Sequence, residues 1–277
     1  MNYFKGVYAA PPTPVKSPYC INTKELSTHC HWLLSQRING IVLFGTTGEG
    51  PSFSLQQRKH ALDECIDAGI NPKNIILVIT ATSVEDSIDL ITHAAQKKCL
   101  GVLVMPPYYF PNITDEGVIN FYRTVLKNVD STIPALLYHY PKISGIPLNF
   151  NIITTLAHEF SQVVGLKDSE GNIELLKSVQ QSLPKFEILI GNDHYIQEVL
   201  KLGEIGIISG IAGVFPEPYK NLDFEKINHI LAKIKEIPTI AALKYLLFCK
   251  FGNCWEELMP PLAHLTTIQK NSLKELL

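Results

Sequence analysis

Nowhere in the sequence does an apolar run approach the roughly 18 residues that a membrane-spanning helix needs. This holds even though the mean hydropathy is slightly positive, at +0.11. Positive charge is not in excess either. The 24 Lys+Arg stand against 26 Asp+Glu, a net charge of −2, so no basic field exists for nucleic acid or an anionic membrane. Charged residues make up only 18% of the chain and hydrophobic ones 46%, a balance that excludes a disordered chain and demands a sizeable core. Signal-peptide patterning is missing as well. The short apolar stretch after Lys5 is broken by Pro11, Pro12 and Pro14, and the expected compartment is the cytoplasm. The six cysteines (Cys20, Cys30, Cys65, Cys99, Cys249, Cys254) contain no C-x-x-C pair. A reduced protein with its thiols buried in helical segments is the simplest expectation.

What is present is a series of short apolar runs rich in β-branched residues. They fall at Gly6–Ala10, Gly40–Phe44, Asn74–Thr80, Gly101–Met105, Ile133–Tyr138, Val163–Leu166, Phe186–Ile190 and Gly206–Ile211. Near-continuous hydrophobicity without alternation is what parallel strands covered on both faces require. Amphipathic segments lie between them. Ser54-Leu55-Gln56-Gln57 has capping-box spacing and opens a helix to about Ala68, closed by Gly69. Thr82 or Ser83, then Thr114, Asn151, Asn172 and Asp193, start the following ones. Eight strands alternating with helices predict an α/β fold, a (β/α)8 TIM barrel with additional C-terminal helices. The barrel core is expected over residues 1–216. Residues 217–277 read as helices alone, completing and extending it as one structural unit.

In such a fold the chemistry gathers where strands end. The polar residues after the runs are Gly45-Thr46-Thr47-Gly48-Glu49-Gly50, Pro106-Pro107-Tyr108-Tyr109, Tyr138-His139-Tyr140-Pro141, Lys167-Asp168-Ser169, Gly191-Asn192-Asp193-His194 and Ser209-Gly210. The first string lacks both the P-loop ending and G-x-G-x-x-G. It reads either as a glycine turn into a helix or as an anion cradle of hydroxyls and amides for a small carboxylate. Lys167 closes an apolar run, so its stem is expected to enter the barrel mouth. There it is either a solvated strand-end lysine or a desolvated nucleophile. An unshifted lysine, with pKa about 10.4, is almost wholly protonated at neutral pH. Desolvation lowers that value and prepares the amine for Schiff-base chemistry on a carbonyl. Tyr138 ends the preceding run and offers a phenol that another hydroxyl, Thr46 or Tyr109, could relay to. His29-Cys30-His31 is not read as a metal site, because adjacent helical residues point in different directions.

Taken in order, these strings resemble the dihydrodipicolinate synthase/N-acetylneuraminate lyase family of pyruvate-dependent class I aldolases. The resemblance runs from Gly6-Val7 through G-T-T-G-E at Gly45–Glu49, P-Y-Y at Pro107–Tyr109, Y-H-Y-P at Tyr138–Pro141 and G-L-K-D-S at Gly165–Ser169. It continues with G-N-D at Gly191–Asp193, G-I-I-S at Gly206–Ser209 and P-P-L at Pro260–Leu262. It implies that Lys167 is the Schiff-base lysine, Tyr138 the general acid/base, and Thr46 the hydroxyl holding that phenol. Tyr109 would be the tyrosine that reaches the relay from a neighbouring subunit, so a homo-oligomer, dimer or tetramer, is implied. Thr47 and Gly48 would cradle the substrate carboxylate. Ser169, Gly191, Asp193, His194, Ile143 and Ile208 would border the substrate, Ile208 through its carbonyl near the lysine. The partners implied are pyruvate, a small 2-oxo acid, and an aldehyde, with no cofactor and no metal.

Departures bear on the second substrate. Dihydrodipicolinate synthases carry an arginine two residues after the proline of the Y-x-x-P string, where this chain has Ile143. A bidentate carboxylate donor is therefore missing. Sialic acid lyases place Asp-Glu after the seventh strand, where this chain has Asp193-His194. The short strings look most like 2-keto-3-deoxy sugar-acid aldolases. Synthase and sialic acid lyase activities stand as alternatives, and a non-catalytic 2-oxo-acid-binding barrel as a reading of another class.

Overall fold

A computed structural model describes residues 4–16, 18–110, 112–203, 205–252 and 255–277; the expectation for Cys254 lies outside them. The strands are β1 (Val7–Ala9), β2 (Val15–Lys16), β3 (Cys20–Ile21), β4 (Gly40–Leu43), β5 (Ile75–Ile79), β6 (Gly101–Val104), β7 (Ala135–His139), β8 (Val163–Asp168), β9 (Glu187–Ile190) and β10 (Gly206–Ser209). Eight of them close a parallel barrel in the order β1-β10-β9-β8-β7-β6-β5-β4. Every residue of β4, β5, β6 and β7 is buried, which is why their sequences are apolar without alternation. The (β/α)8 expectation holds. The antiparallel pair β2–β3, with register Val15↔Ile21, was not expected; two residues per strand leave no periodic signal.

The helices are α1 (Thr23–Ser35), α2 (Leu55–Asp67), α3 (Val84–Gln96), α4 (Asp115–Lys127), α5 (Pro141–Ser144), α6 (Phe150–Glu159), α7 (Ile173–Ser182), α8 (Ile196–Val199), α9 (Pro216–Lys220), α10 (Phe224–Ile234), α11 (Thr239–Phe251) and α12 (Thr267–Leu273). Ser54, Ser83, Thr114 and Asn172 cap α2, α3, α4 and α7 as expected, each accepting an N–H three residues on. Two starts differ. Asn149 rather than Asn151 caps α6, its Oδ1 accepting from Ile152; both asparagines precede the apolar face, and spacing alone does not rank them. Asp193 lies in a 3₁₀ turn, Asp193–Tyr195, whose preceding Asn192 accepts from His194, and α8 follows it. From Pro216 onward the described elements are α9 to α12 and a closing 3₁₀ turn, Lys274–Leu276.

The chain forms two compact units. One is Pro72–Ile208 with the residues up to Gly6; the other is Val7–Asn71 with Ser209–Leu277. Three thiols, Cys30, Cys65 and Cys99, are buried, but Cys249 is exposed and Cys20 lies half-exposed on β3 rather than on a helix. Cys249 lies beside Lys250 in the last turn of α11, while Lys244 in the middle of the same helix is buried, so composition could not tell the wet end of that helix from its buried middle.

Candidate active site

Strands β7 and β8 run side by side with Tyr138 opposite Lys167 and His139 opposite Asp168. Successive side chains on a strand point to opposite faces, so the phenol and the amine share one face and the imidazole and carboxylate share the other. On the first face, Lys167 Nζ lies 3.2 Å from Tyr138 Oη and 4.2 Å from the centre of its ring. Both side chains are buried, Lys167 at 7% exposure and Tyr138 at 1%. Tyr140, two residues on and therefore on the same face, stacks on Tyr138 with ring centres 6.2 Å apart. Its own phenol is pushed up from the ordinary tyrosine value by burial and by the charge of Tyr138.

The lysine reaches its position over a glycine. A Cβ at Gly191 would lie 2.4 Å from Lys167 Cε, 2.4 Å from Ser169 Oγ and 3.2 Å from Lys167 Nζ, so any side chain at 191 would displace the amine. Gly191 is anchored by its own N–H, which donates to the Asp168 carbonyl at 2.6 Å. Ser169 is buried at 7% exposure, and its N–H donates to the His139 carbonyl at 2.9 Å. Ile208 is buried in β10. Amine, phenol and hydroxyl thus converge at the ends of β7, β8 and β9. Asp193 is half-buried, while His194 and Ile143 are exposed, Ile143 at 48%. Tyr109 projects from the loop after β6 at 75% exposure, its ring edge-on to the equally exposed Phe110 at 5.2 Å.

On the other face, His139 and Asp168 are almost wholly buried, with Nε2 and Oδ1 3.8 Å apart. The Asp168 carboxylate accepts N–H groups from Glu170 (3.3 Å), Gly171 (2.7 Å) and Asn172 (3.3 Å). Burial pushes the Asp168 carboxyl up from its ordinary value, against those donors and His139. This network was not legible in the sequence, where His139 stood out only as one letter of the Y-H-Y-P string.

In the second unit, the G-T-T-G-E string follows β4 as a tight turn. The N–H groups of Glu49 and Gly50 donate to the carbonyls of Thr46 and Gly45, each at 3.1 Å. Those two amides are committed to the turn and drop out of an anion cradle. The side chains of Thr46 and Thr47 stay half-exposed. Thr47 sits over another bare backbone, since a Cβ at Gly210 would lie 2.5 Å from Thr47 Oγ1. Thr13 Oγ1 donates to the Gly48 carbonyl at 2.6 Å. Glu49, with φ of 53°, turns its carboxylate inward to Lys244 Nζ at 2.5 Å, both side chains 1% exposed. Its second oxygen accepts the Met259 N–H at 3.0 Å, and Lys244 also donates to the Glu257 carbonyl at 2.7 Å. Desolvation lowers the Lys244 pKa, and the facing Glu49 opposes that shift.

His29 and His31 go separate ways from α1. His29 Nε2 bonds the Gly213 carbonyl at 2.8 Å, and His31 Nε2 bonds Ala68 at 2.9 Å.

The sequence profile of the Dihydrodipicolinate synthetase family matches residues 3–277. An "Uncharacterized DapA-like lyase" of Chloroflexus aurantiacus is 31% identical over 77% of this chain and 72% of that protein. A 4-hydroxy-tetrahydrodipicolinate synthase of Methanocaldococcus jannaschii is 27% identical over 99% of this chain and 98% of its own length. The crystal structure of dihydrodipicolinate synthase from Agrobacterium tumefaciens superposes with a TM-score of 0.91 at 27% identity, covering 98% of this chain and 97% of that one. A profile match over nearly the whole length, on a closed barrel with a lysine–tyrosine pair at adjacent strand ends, shows that the chain belongs to the dihydrodipicolinate synthetase family and is an enzyme of its aldolase and lyase class.

Proposed function

We propose that the protein is a Schiff-base aldolase that reversibly cleaves a 2-keto-3-deoxy sugar acid to pyruvate and an aldehyde. The observation that carries this reading is the buried Lys167 amine 3.2 Å from the Tyr138 phenol, laid across the bare backbone of Gly191. A nucleophile and a proton carrier at hydrogen-bond distance in a buried site are what carbinolamine formation and collapse require. The Lys167 amine adds to the 2-oxo carbon, and water leaves to give an iminium. As the C3–C4 bond breaks, Tyr138 takes the proton of the C4 hydroxyl and the bonding pair passes into the iminium, releasing an aldehyde and an enamine. Protonation at C3 and hydrolysis return pyruvate and the free amine. Thr46 holds the Tyr138 phenol in this reading, and Thr47 with Gly48 receives the carboxylate; both threonines come after the C-terminal end of β4, and Tyr138 and Lys167 are the second-last residues of β7 and β8. Ser169, Asp193, His194, Ile143 and Ile208 border the remainder of the substrate.

Ile143 supports the sugar-acid preference over the synthase reaction. An exposed apolar side chain at the position where an arginine would grip a second carboxylate cannot replace that fork. The synthase remains the second reading, because the Methanocaldococcus jannaschii relative matched over nearly all of both chains bears that name. Adjacent exposed Tyr109 and Phe110 support a homo-oligomer in which Tyr109 serves a neighbour's site. The cytoplasm is the proposed location; no helix among the described residues is long and apolar enough to cross a membrane.

Borohydride reduction in the presence of pyruvate tests the chemistry, with an adduct expected on the peptide bearing Lys167. A panel of keto-deoxygluconate, N-acetylneuraminate and 4-hydroxy-2-oxoglutarate, beside a condensation assay with aspartate semialdehyde, tests the substrate. Release of pyruvate fastest from keto-deoxygluconate is expected. Condensation with aspartate semialdehyde outrunning every cleavage would overturn the substrate assignment and leave the synthase.

A further inference from the structure

His139 is the residue behind the catalytic pair, and its two ring nitrogens are engaged in different directions. Nδ1 accepts the backbone N–H of Leu148 at 3.0 Å. A backbone amide can only donate, so Nδ1 carries no proton and the ring hydrogen sits on Nε2. Nε2 donates to Glu170 Oε2 at 2.9 Å, with Asp168 Oδ1 at 3.8 Å. The imidazole therefore joins three pieces of chain. It belongs to β7 one residue past Tyr138; through Leu148 it holds the far end of the Pro141–Leu148 segment, which carries Ile143; through Glu170 it holds the loop just past Lys167 and Ser169. That second loop is itself pinned from beyond. Asn192 Nδ2 donates to the Glu170 carbonyl at 3.1 Å. A Cβ on Gly171, at φ +89°, would run into the Tyr195 ring at 2.2 Å, so the loop and the turn after β9 pack backbone to ring.

We propose that the His139–Glu170 pair is a positioning clamp that sets the loops bordering the aldehyde half of the substrate, leaving Schiff-base formation at Lys167 to the strands themselves. This assignment rests on the aldolase reading above. The division follows from where each group is anchored. Lys167 and Tyr138 are fixed by strand register, burial and Gly191, whereas the imidazole ties the Leu148 end of the segment bearing Ile143 to the Glu170 side chain. Asp168 separately holds the Glu170, Gly171 and Asn172 amides, and the turn bearing His194 joins this loop through Asn192. Glu170 is itself 48% exposed on its side chain; its hold on the buried Nε2 is directional, and a neutral amide oxygen can accept the same bond.

The test uses the full-length protein as Glu170→Ala, Glu170→Gln and His139→Leu. Borohydride trapping of pyruvate on Lys167 is expected to proceed in Glu170→Ala as in the parent. Cleavage of keto-deoxygluconate should show KM raised by about tenfold or more, the scale of a misplaced loop, and Glu170→Gln should recover most of it. Nitrogen-15 NMR of histidine-labelled protein should find His139 as the Nε2–H tautomer, with its resonance perturbed in Glu170→Ala. His139→Leu should show the Glu170→Ala effect in larger measure. Unchanged KM in Glu170→Ala, parallel loss of trapping and cleavage, or a proton on Nδ1 in the parent protein would each overturn the clamp. Failure of the parent to be trapped at all would defeat the aldolase reading instead, and the tautomer measurement would still decide the clamp.

Discussion

At the scale of single residues, the site depends on a side chain that is absent. Gly191 leaves room for the Lys167 stem, and a methyl group there would lie 2.4 Å from Lys167 Cε, far inside van der Waals contact. Gly191→Ala is therefore expected to lower pyruvate trapping on Lys167 and to cut kcat by about 10²-fold, the order seen for ångström-scale misplacement. Its far-ultraviolet circular dichroism should match the parent. Trapping at the parental rate would show that the amine has another route. Tyr138→Phe keeps the ring that underlies Lys167 Nζ but removes the proposed proton carrier. Schiff-base formation and cleavage should both slow, cleavage by about 10²- to 10⁴-fold, measured by single-turnover mixing with keto-deoxygluconate.

At the scale of elements, the turn after β4 is held from behind by helix α11. Glu49 and Lys244 face each other with both side chains 1% exposed, and each has a further backbone partner. Removing one partner of such a pair leaves an uncompensated buried charge, at a cost of about 3–5 kcal/mol, whereas replacing both by apolar groups is often neutral. Lys244→Met should thus unfold at markedly lower urea concentration, and Glu49→Leu/Lys244→Met should regain most of the loss. Equal destabilisation of the single and double variants would contradict the pairing. Glu49 is also why the G-T-T-G-E string keeps its shape: with its carboxylate turned inward, Thr46 and Thr47 are left half-exposed on the turn.

At the scale of the whole molecule, His29 makes stability depend on pH. The ring is 3% exposed, donates to the Gly213 carbonyl, and packs edge-on against Trp255 with centres 4.8 Å apart. Burial first, then the nearby charge of Lys250, lowers its pKa to about 4, with the Gly213 bond opposing the shift. The unfolded chain binds this proton at the ordinary value of about 6.5, so between roughly pH 6.5 and 4 the unfolded state holds more protons than the native one. Stability should fall as pH drops through that window, by about 3 kcal/mol from this residue at the lower end. His29→Asn should flatten the slope of urea-unfolding free energy against pH. An unchanged slope would assign the acid sensitivity elsewhere. Oligomeric state belongs to the same scale: if Tyr109 serves a neighbouring site, Tyr109→Phe should reduce turnover more than pyruvate trapping. An active monomer at high dilution would rule that contribution out.

Much of this architecture was readable from the chain alone, because the forces that set it are local or additive. Apolar runs of strand length alternating with amphipathic segments leave few folds other than a parallel barrel, and polar residues after those runs mark its active end. Lys167 and Tyr138 could be singled out for that reason. Cap choice was legible where one candidate stood at the boundary, as at Ser54, and not where Asn149 and Asn151 competed. The tertiary structure alone decided which side chains meet. The register of β7 on β8 sets Tyr138 against Lys167 and, one residue on, His139 against Asp168. The chain's return brings Lys244 to Glu49 across nearly two hundred residues. Only the folded backbone shows that Gly191 makes space for the amine rather than a turn. Such pairings depend on hydrogen-bond register and close packing between distant segments, and a one-residue slip would exchange the faces of every side chain. Composition and periodicity determine that a barrel forms; the register between its strands determines which residues act together.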